Sequence, residues 1–371
     1  MRIATIGTSL AAALLVALPA SAEPTRTDVS FEVNNLLTGT ETLHGFRMAP
    51  VCEATSVVLL QHGLSYTSEA WDVPGYSTAR ILADAGYAVV AIDRLGYGRS
   101  VLDNGYNVST VAYPDMAHQV VLELREEFDQ VAIGGHSAGG EASETEAALF
   151  GDVDALMVLG YHHYPSSRIV QDFFTGDYPR AALSDYEYFL GTPEHRAEMF
   201  FTEHADPAVV AADAEAAVLT PSGEILSIGP QPSRYVHFLT PVPVFLQMAS
   251  HDRLFPLDYP VDEALPDVTI DLRPVLPSTF VGAESVTLDE VPDAGHTFML
   301  HPTGPAAAER MIAWLQDVAG VAPCDVSAAG GGDVLPQADE GDDGNELPAS
   351  GGGLAVAALM VLGVVAGARR R

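Results

Sequence analysis

Gly135-His136-Ser137-Ala138-Gly139 sets a serine between two glycines, each two residues away. A serine hydroxyl is a weak nucleophile until a base takes its proton. It also reaches a carbonyl only where the chain lifts it clear of its surroundings. A sharp turn from strand to helix does this, at the cost of bringing backbone against backbone where Cβ atoms would collide. Gly135 and Gly139 suit such a turn, with Val131-Ala132-Ile133-Gly134 as the strand entering it and an alanine-rich helix leaving it. The predicted chemistry is nucleophilic attack by Ser137. His296, beside Gly295 and directly after an apolar strand, is the candidate base among twelve histidines. His44, His118 and His301 lack that strand-end setting, and His162, His163, His195, His204 and His237 fall in a segment without clear strands. The adjacent pair His162-His163 has no carboxylate at metal-binding spacing, so no metal is expected, and no cofactor motif is found.

These residues need a scaffold, and the pattern from residue 28 onward alternates strands with helices. Residues 28–33 and 42–48 read as two antiparallel strands, and 56–60, 87–92, 131–134, 155–159, 242–248 and 285–291 as short apolar ones of the buried parallel type. Residues 76–85, 113–128 and 305–318 carry apolar side chains at helical spacing, the first ending at Gly86 as a cap. The rhythm breaks between Gly160 and Pro241. That stretch holds 12 of the 29 aromatic residues, among them Tyr161, Tyr164, Phe173, Phe174, Tyr186, Tyr188, Phe189, Phe200 and Phe201. Some must form a small core of their own, and the excess suits the roof of an apolar pocket.

With Asp252 in Ser250-His251-Asp252-Arg253-Leu254-Phe255-Pro256, the chain order Ser, Asp, His resembles that of serine hydrolases of the α/β-hydrolase superfamily (esterases and lipases). Gln61-His62-Gly63-Leu64 and Asp93-Arg94-Leu95-Gly96-Tyr97-Gly98-Arg99-Ser100 are also similar to stretches typical of that superfamily. The resemblance covers about residues 28–320. It implies an α/β fold with a mostly parallel central sheet flanked by helices, a core of residues 23–160 and 241–323, and a helical cap insertion at 161–240. It implies Ser137, Asp252 and His296 as the catalytic triad, the backbone N–H groups of Leu64 and Ala138 as the oxyanion hole, and Gly135 and Gly139 as the elbow glycines. His62 would be structural, packed beneath its turn. The implied reaction is hydrolysis of a carboxylic ester of apolar or aromatic character through an acyl-enzyme. Lipids, lactones and small esters stay open as substrates. Cleavage of N-terminal proline peptides on the same triad, and a non-catalytic surface binding protein on the same fold, are the alternatives.

The two ends read as addresses. Residues 1–22 combine one basic residue, an apolar run and Ala20-Ser21-Ala22, the pattern of a secretory signal peptide. Leu347-Pro348-Ala349-Ser350-Gly351, the apolar run 354–366 and Arg369-Arg370-Arg371 are similar to a cell-wall sorting signal, with Ser350 where Thr is usual. A sortase-like processing enzyme is the implied partner there. Residues 324–350, rich in Gly, Ala, Asp and Glu, form an acidic spacer before the apolar segment 351–371. The expected location is the cell surface, attached to the cell wall or the membrane through the C-terminus, or released. Between residues 23 and 350, 13 basic residues face all 50 acidic ones, which excludes nucleic acid and anionic lipid as partners and suggests a salty or acidic medium. Every basic residue is Arg, so lysine-nucleophile and Schiff-base chemistry are excluded. Cys52 and Cys324 are the only cysteines. One precedes a strand and the other follows the last helix, places that share the lower edge of a parallel sheet, and in an exported chain they are expected to pair.

Overall fold

The computed structural model describes residues 23–167, 187–189, 193–228, 233–261 and 268–329. Eight strands form one sheet: β1 (Thr25–Asn35), β2 (Gly39–Ala49), β3 (Ser56–Gln61), β4 (Ala88–Ile92), β5 (Gln130–His136), β6 (Ala155–Leu159), β7 (Val244–Ala249) and β8 (Val286–Val291). Their order is β1-β2-β4-β3-β5-β6-β7-β8. The β1–β2 and β2–β4 pairings are antiparallel and the other five are parallel. This is the α/β-hydrolase fold.

The central strands are apolar on both faces because helices cover both faces. Alternate residues of one strand therefore enter different cores. Val57 and Leu59 of β3 join the core under α2 (Tyr113–Leu124) and α3 (Ala138–Phe150). Val58 and Leu60 join the core under α1 (Thr78–Asp84) and α6 (Gly304–Asp317). The same alternation runs through β5, where Val131 and Ile133 face α2 and α3 while Ala132 faces away. Between β6 and β7 lie α4 (Pro193–Phe200) and α5 (Pro207–Ala216), with shorter turns at Ser222–Ser227 and Ser233–Val236. That stretch reads as strandless in sequence, yet Tyr188–Phe189 pairs antiparallel with Thr220–Pro221. The helix expected over 113–128 ends at Leu124 and continues only as turns to Phe128.

Cys52 and Cys324 form a disulfide with their Cα atoms 6.0 Å apart. The Cys324 N–H also donates to the Gly86 carbonyl at 3.0 Å, so the chain after α6 is fastened beside the start of β4. Gly86 has φ +101°, and a Cβ there would lie 2.3 Å from the Cys324 carbonyl oxygen. Among the described residues, no helix is long and apolar enough to cross a membrane. The signal-like residues 1–22, the sorting-like region 347–371 and most of the acidic spacer lie outside the described residues, as do Phe173, Phe174 and Tyr186.

Candidate active site

Strand β5 ends at His136 and α3 begins at Ala138, which leaves Ser137 alone to turn the chain. Its backbone sits at φ 55°, ψ −120°. A Cβ on Gly135 would lie 2.2 Å from the Gly139 carbonyl oxygen, and one on Gly139 would lie 2.4 Å from that of Gln61. Any side chain at either position would force the turn open. Among the described residues only Ser65, Ser137 and Asp293 combine a side chain with positive φ. One follows the Gly63-Leu64 turn, one is the elbow itself, and one stands three residues before His296. The first two of these turns pack against each other, since a Cβ on Gly63 would lie 3.1 Å from Ser137 Cβ.

His296 follows β8 and is buried with Asp252, which follows β7. Its Nδ1 lies 2.8 Å from Asp252 Oδ2. The other carboxylate oxygen, Oδ1, accepts the N–H groups of Leu254 at 2.8 Å and Phe255 at 3.0 Å. Burial by itself would raise the Asp252 pKa. The charge and hydrogen bond of His296, with those two N–H groups, outweigh it and hold the carboxyl below its usual range. Ser137 is partly exposed, and among the described residues no hydrogen bond joins it to His296.

The turn at Gly63 lies against the elbow, since a Cβ there would be 3.1 Å from Ser137 Cβ. Among the described residues, neither the Leu64 nor the Ala138 N–H is used in a backbone hydrogen bond. The latter is free because it opens a helix. His62 holds the turn from beneath: it contacts the Gly63 carbonyl through Nδ1 at 2.7 Å and accepts the Arg94 N–H on Nε2 at 3.0 Å. Carbonyls only accept, so Nδ1 carries the proton. Arg94 Nε donates to the His62 carbonyl at 2.8 Å and Nη1 to Glu224 at 2.6 Å. Tyr97 and Tyr113 donate to the same Glu224 carboxylate. Asp93 accepts the N–H groups of Ser68 at 2.7 Å and Arg99 at 3.0 Å. The 93–100 stretch is thus a brace between the Gly63-Leu64 turn and the turn at Ser222–Ser227.

Other side chains here carry no signal in the sequence. His136 Nε2 donates to the His296 carbonyl at 2.9 Å, and burial, with the His296 charge, pushes its pKa down to about 3. It is a neutral strut between the elbow and the His296 loop. His301 accepts the Gly295 N–H at 3.1 Å and the Thr202 N–H at 3.4 Å, tying the His296 loop to the chain after α4. Phe200 at the end of α4 and Phe255 flank the His296 ring, with centroids 5.5 and 5.7 Å away. Arg196 binds Asp213 of α5 at 2.5 and 3.1 Å, donates to Ser65 Oγ, and lies 4.2 Å over the Tyr66 ring. His163, without a carboxylate nearby in sequence, has one in space: its Nε2 is 2.6 Å from Glu144 of α3.

A family model described as the alpha/beta hydrolase family matches residues 57–309. The chain belongs to the α/β hydrolase family. It is therefore a hydrolase, and its relatives span several activities. A non-heme haloperoxidase of Rhodococcus erythropolis is 32% identical over 112 residues, 27% of this hydrolase and 38% of that protein's length. A thermophilic esterase from Thermogutta terrifontis superposes with a TM-score of 0.61 at 17% identity, covering 78% of this hydrolase and 99% of the esterase. A bromoperoxidase from Bacillus anthracis gives 0.57 at 17% identity, covering 78% and 100%. At such identities the likeness is one of fold.

Proposed function

We propose that this hydrolase cleaves carboxylic esters of apolar or aromatic character through an acyl-enzyme on Ser137. The observation that carries the reading is the buried Asp252–His296 pair at 2.8 Å, set beside a serine held at positive φ. In this reading His296 Nε2 takes the Ser137 proton as Oγ attacks the ester carbonyl. The tetrahedral oxyanion is met by the Leu64 and Ala138 N–H groups. Collapse expels the alcohol, which leaves with the proton from His296. Water then repeats the sequence on the acyl-enzyme, releasing the acid and restoring Ser137. Asp252 stays ionised, keeps the His296 proton on Nδ1, and stabilises the imidazolium.

Residues 161–240 act as the cap. Phe200 beside the base and the Arg196–Ser65 contact support that role, and the aromatic wall favours an apolar acyl or alcohol group. The haloperoxidase and bromoperoxidase relatives favour a second reading of the same site, in which hydrogen peroxide replaces water and the acyl group leaves as a peracid. Export and attachment at the cell surface rest on the patterns of residues 1–22 and 347–371. The Cys52–Cys324 bridge, which suits an oxidising compartment, supports export.

The test is labelling with a fluorophosphonate probe, wild type beside Ser137→Ala, followed by esters of graded chain length and proline amides, each with and without peroxide. Label and turnover lost together in the variant support the assignment. Turnover that survives in folded Ser137→Ala sinks it.

A further inference from the structure

Away from the elbow, the far half of α3 carries a second cluster of ionisable groups. Glu146 on α3, His118 on α2 and Asp152 just past the α3 cap converge so that one ligand atom from each lies within 4.8 Å of the others. His118 Nδ1 is 2.7 Å from Asp152 Oδ2 and 4.0 Å from Glu146 Oε1. The shorter contact has the distance of a hydrogen bond without the alignment. Among the described residues, with both carboxyls ionised, His118 Nδ1 and all four oxygens of Glu146 and Asp152 are buried atoms with no hydrogen-bond partner, and a proton is the one alternative to a cation between the two carboxyls. Glu146 itself is 0% exposed. Five unsatisfied polar atoms around one point are costly, because a buried polar group without a partner loses its hydration for nothing.

We propose that His118, Glu146 and Asp152 form a binding site for a divalent first-row transition cation of the zinc class. Two carboxylates balance a double positive charge, and the imidazole selects against magnesium and calcium, which prefer all-oxygen shells. Protein ligands at about 2.0–2.2 Å, with water completing the shell, would satisfy the orphaned atoms together. The donors are held in place. The His118 ring stacks on Phe150 with centroids 3.8 Å apart and planes 6° from parallel. Gly151 takes the left-handed cap conformation that turns the chain back at Asp152. Arg125 donates to the Asp152 carbonyl from Nε at 3.0 Å and Nη2 at 2.7 Å, and its charge is shared with Asp154 at 2.8 Å. The side chains of His118 and Asp152 stay 21% and 23% exposed, so the buried donor atoms lie just beneath the surface.

The site is structural. Glu146 lies nine residues along from Ser137, roughly 13 Å at helical rise, so the cation takes no part in ester chemistry. It would pin α2 to the end of the helix that presents the nucleophile.

The test uses the purified full chain, stripped with a chelator and dialysed against zinc, with zinc per chain measured by plasma mass spectrometry and thermal melts taken with and without zinc. Two other clusters, Glu144-His163-His237 and His204-His251-Asp293, also bring ligand atoms within 4.8 Å of one another, so the comparison is with His118→Gln and Glu146→Gln, which leave those clusters intact. Glu146→Gln keeps the side-chain shape and removes the buried charge, so it is expected to fold. Wild type should hold one zinc per chain more than either variant, and only wild type should show the full zinc-dependent rise in Tm. In competition with a chromophoric chelator, both variants should bind at least about tenfold more weakly. Equal zinc content and equal Tm response in wild type and Glu146→Gln would overturn the proposal and leave a proton shared between Glu146 and Asp152.

Discussion

Asp252→Asn separates a merely nearby carboxylate from a working one, and its effect follows from the hydrogen bonds of the two oxygens. Asp252 Oδ1 accepts two backbone N–H groups, from Leu254 and Phe255, while Oδ2 faces His296 Nδ1. In the variant the amide oxygen must take the Oδ1 place, because an NH2 group there would point hydrogens at two donors. The NH2 group is then forced toward His296 and donates to Nδ1. His296 must carry its own proton on Nε2, the nitrogen needed to accept from Ser137. The variant thus has a folded site with the wrong tautomer. Replacing a triad aspartate by asparagine in this way costs about 10⁴ in kcat, near 5.5 kcal/mol of transition-state stabilisation. The assay is steady-state hydrolysis of a p-nitrophenyl ester, with the imidazole nitrogen shifts of His296 read by NMR. A variant within tenfold of wild type in kcat, or one with the proton still on Nδ1, refutes the assignment of Asp252 as the acid.

Other outcomes follow from the same structure. Glu141 is buried beside Glu144, and the burial chiefly, then that charge, raises its pKa from 4.5 to about 8. Since the folded value lies above the unfolded one, the native state holds the extra proton across that window, and stability falls as pH rises from 4.5 to 8. Glu141→Gln should flatten this dependence and exceed wild type at pH 8 by about 3 to 5 kcal/mol, measured by urea midpoints at pH 5 and 8. Arg94→Met leaves Glu224 buried and unpaired and should cost about 3 to 5 kcal/mol, whereas Arg94→Met with Glu224→Gln should recover part of that loss. A double variant no more stable than the single one would contradict the brace. Removing the disulfide with Cys52→Ser and Cys324→Ser should lower stability by about 5 kcal/mol or less and leave kcat unchanged at a temperature where the variant is folded.

Much of the architecture is legible in the sequence. The apolar stretches of β3 to β7 are short and continuous because helices cover both sides of them, and that signature needs no partner strand to be recognised. Gly135 and Gly139 were legible for a related reason. Their requirement is local, set by a turn of five residues whose backbone leaves no room for a Cβ. The chain ends of α2, by contrast, depend on where the next strand must begin, and the pairing of Tyr188–Phe189 with Thr220–Pro221 joins two short pieces more than 30 residues apart.

The residues that resisted reading are those whose role depends on a partner from another element. His136 and His301 carry the same chemistry as His296, and nothing in their neighbours marks them as struts to the loop that carries it. Glu141, Glu144 and Glu146 are charged residues of an alanine-rich helix, and the fold buries all three. By itself the sequence determined which residues could form an elbow, a base and a buried parallel sheet, because those demands are met within a few adjacent positions. Beyond the Asp252 and His296 pairing that the resemblance implied, only the tertiary structure decided which histidine met which carboxylate, as His163 meets Glu144. A hydrogen bond or a shared cation is specified by distances of 2 to 3 Å between atoms that the chain separates by tens to hundreds of residues, and no local pattern encodes that.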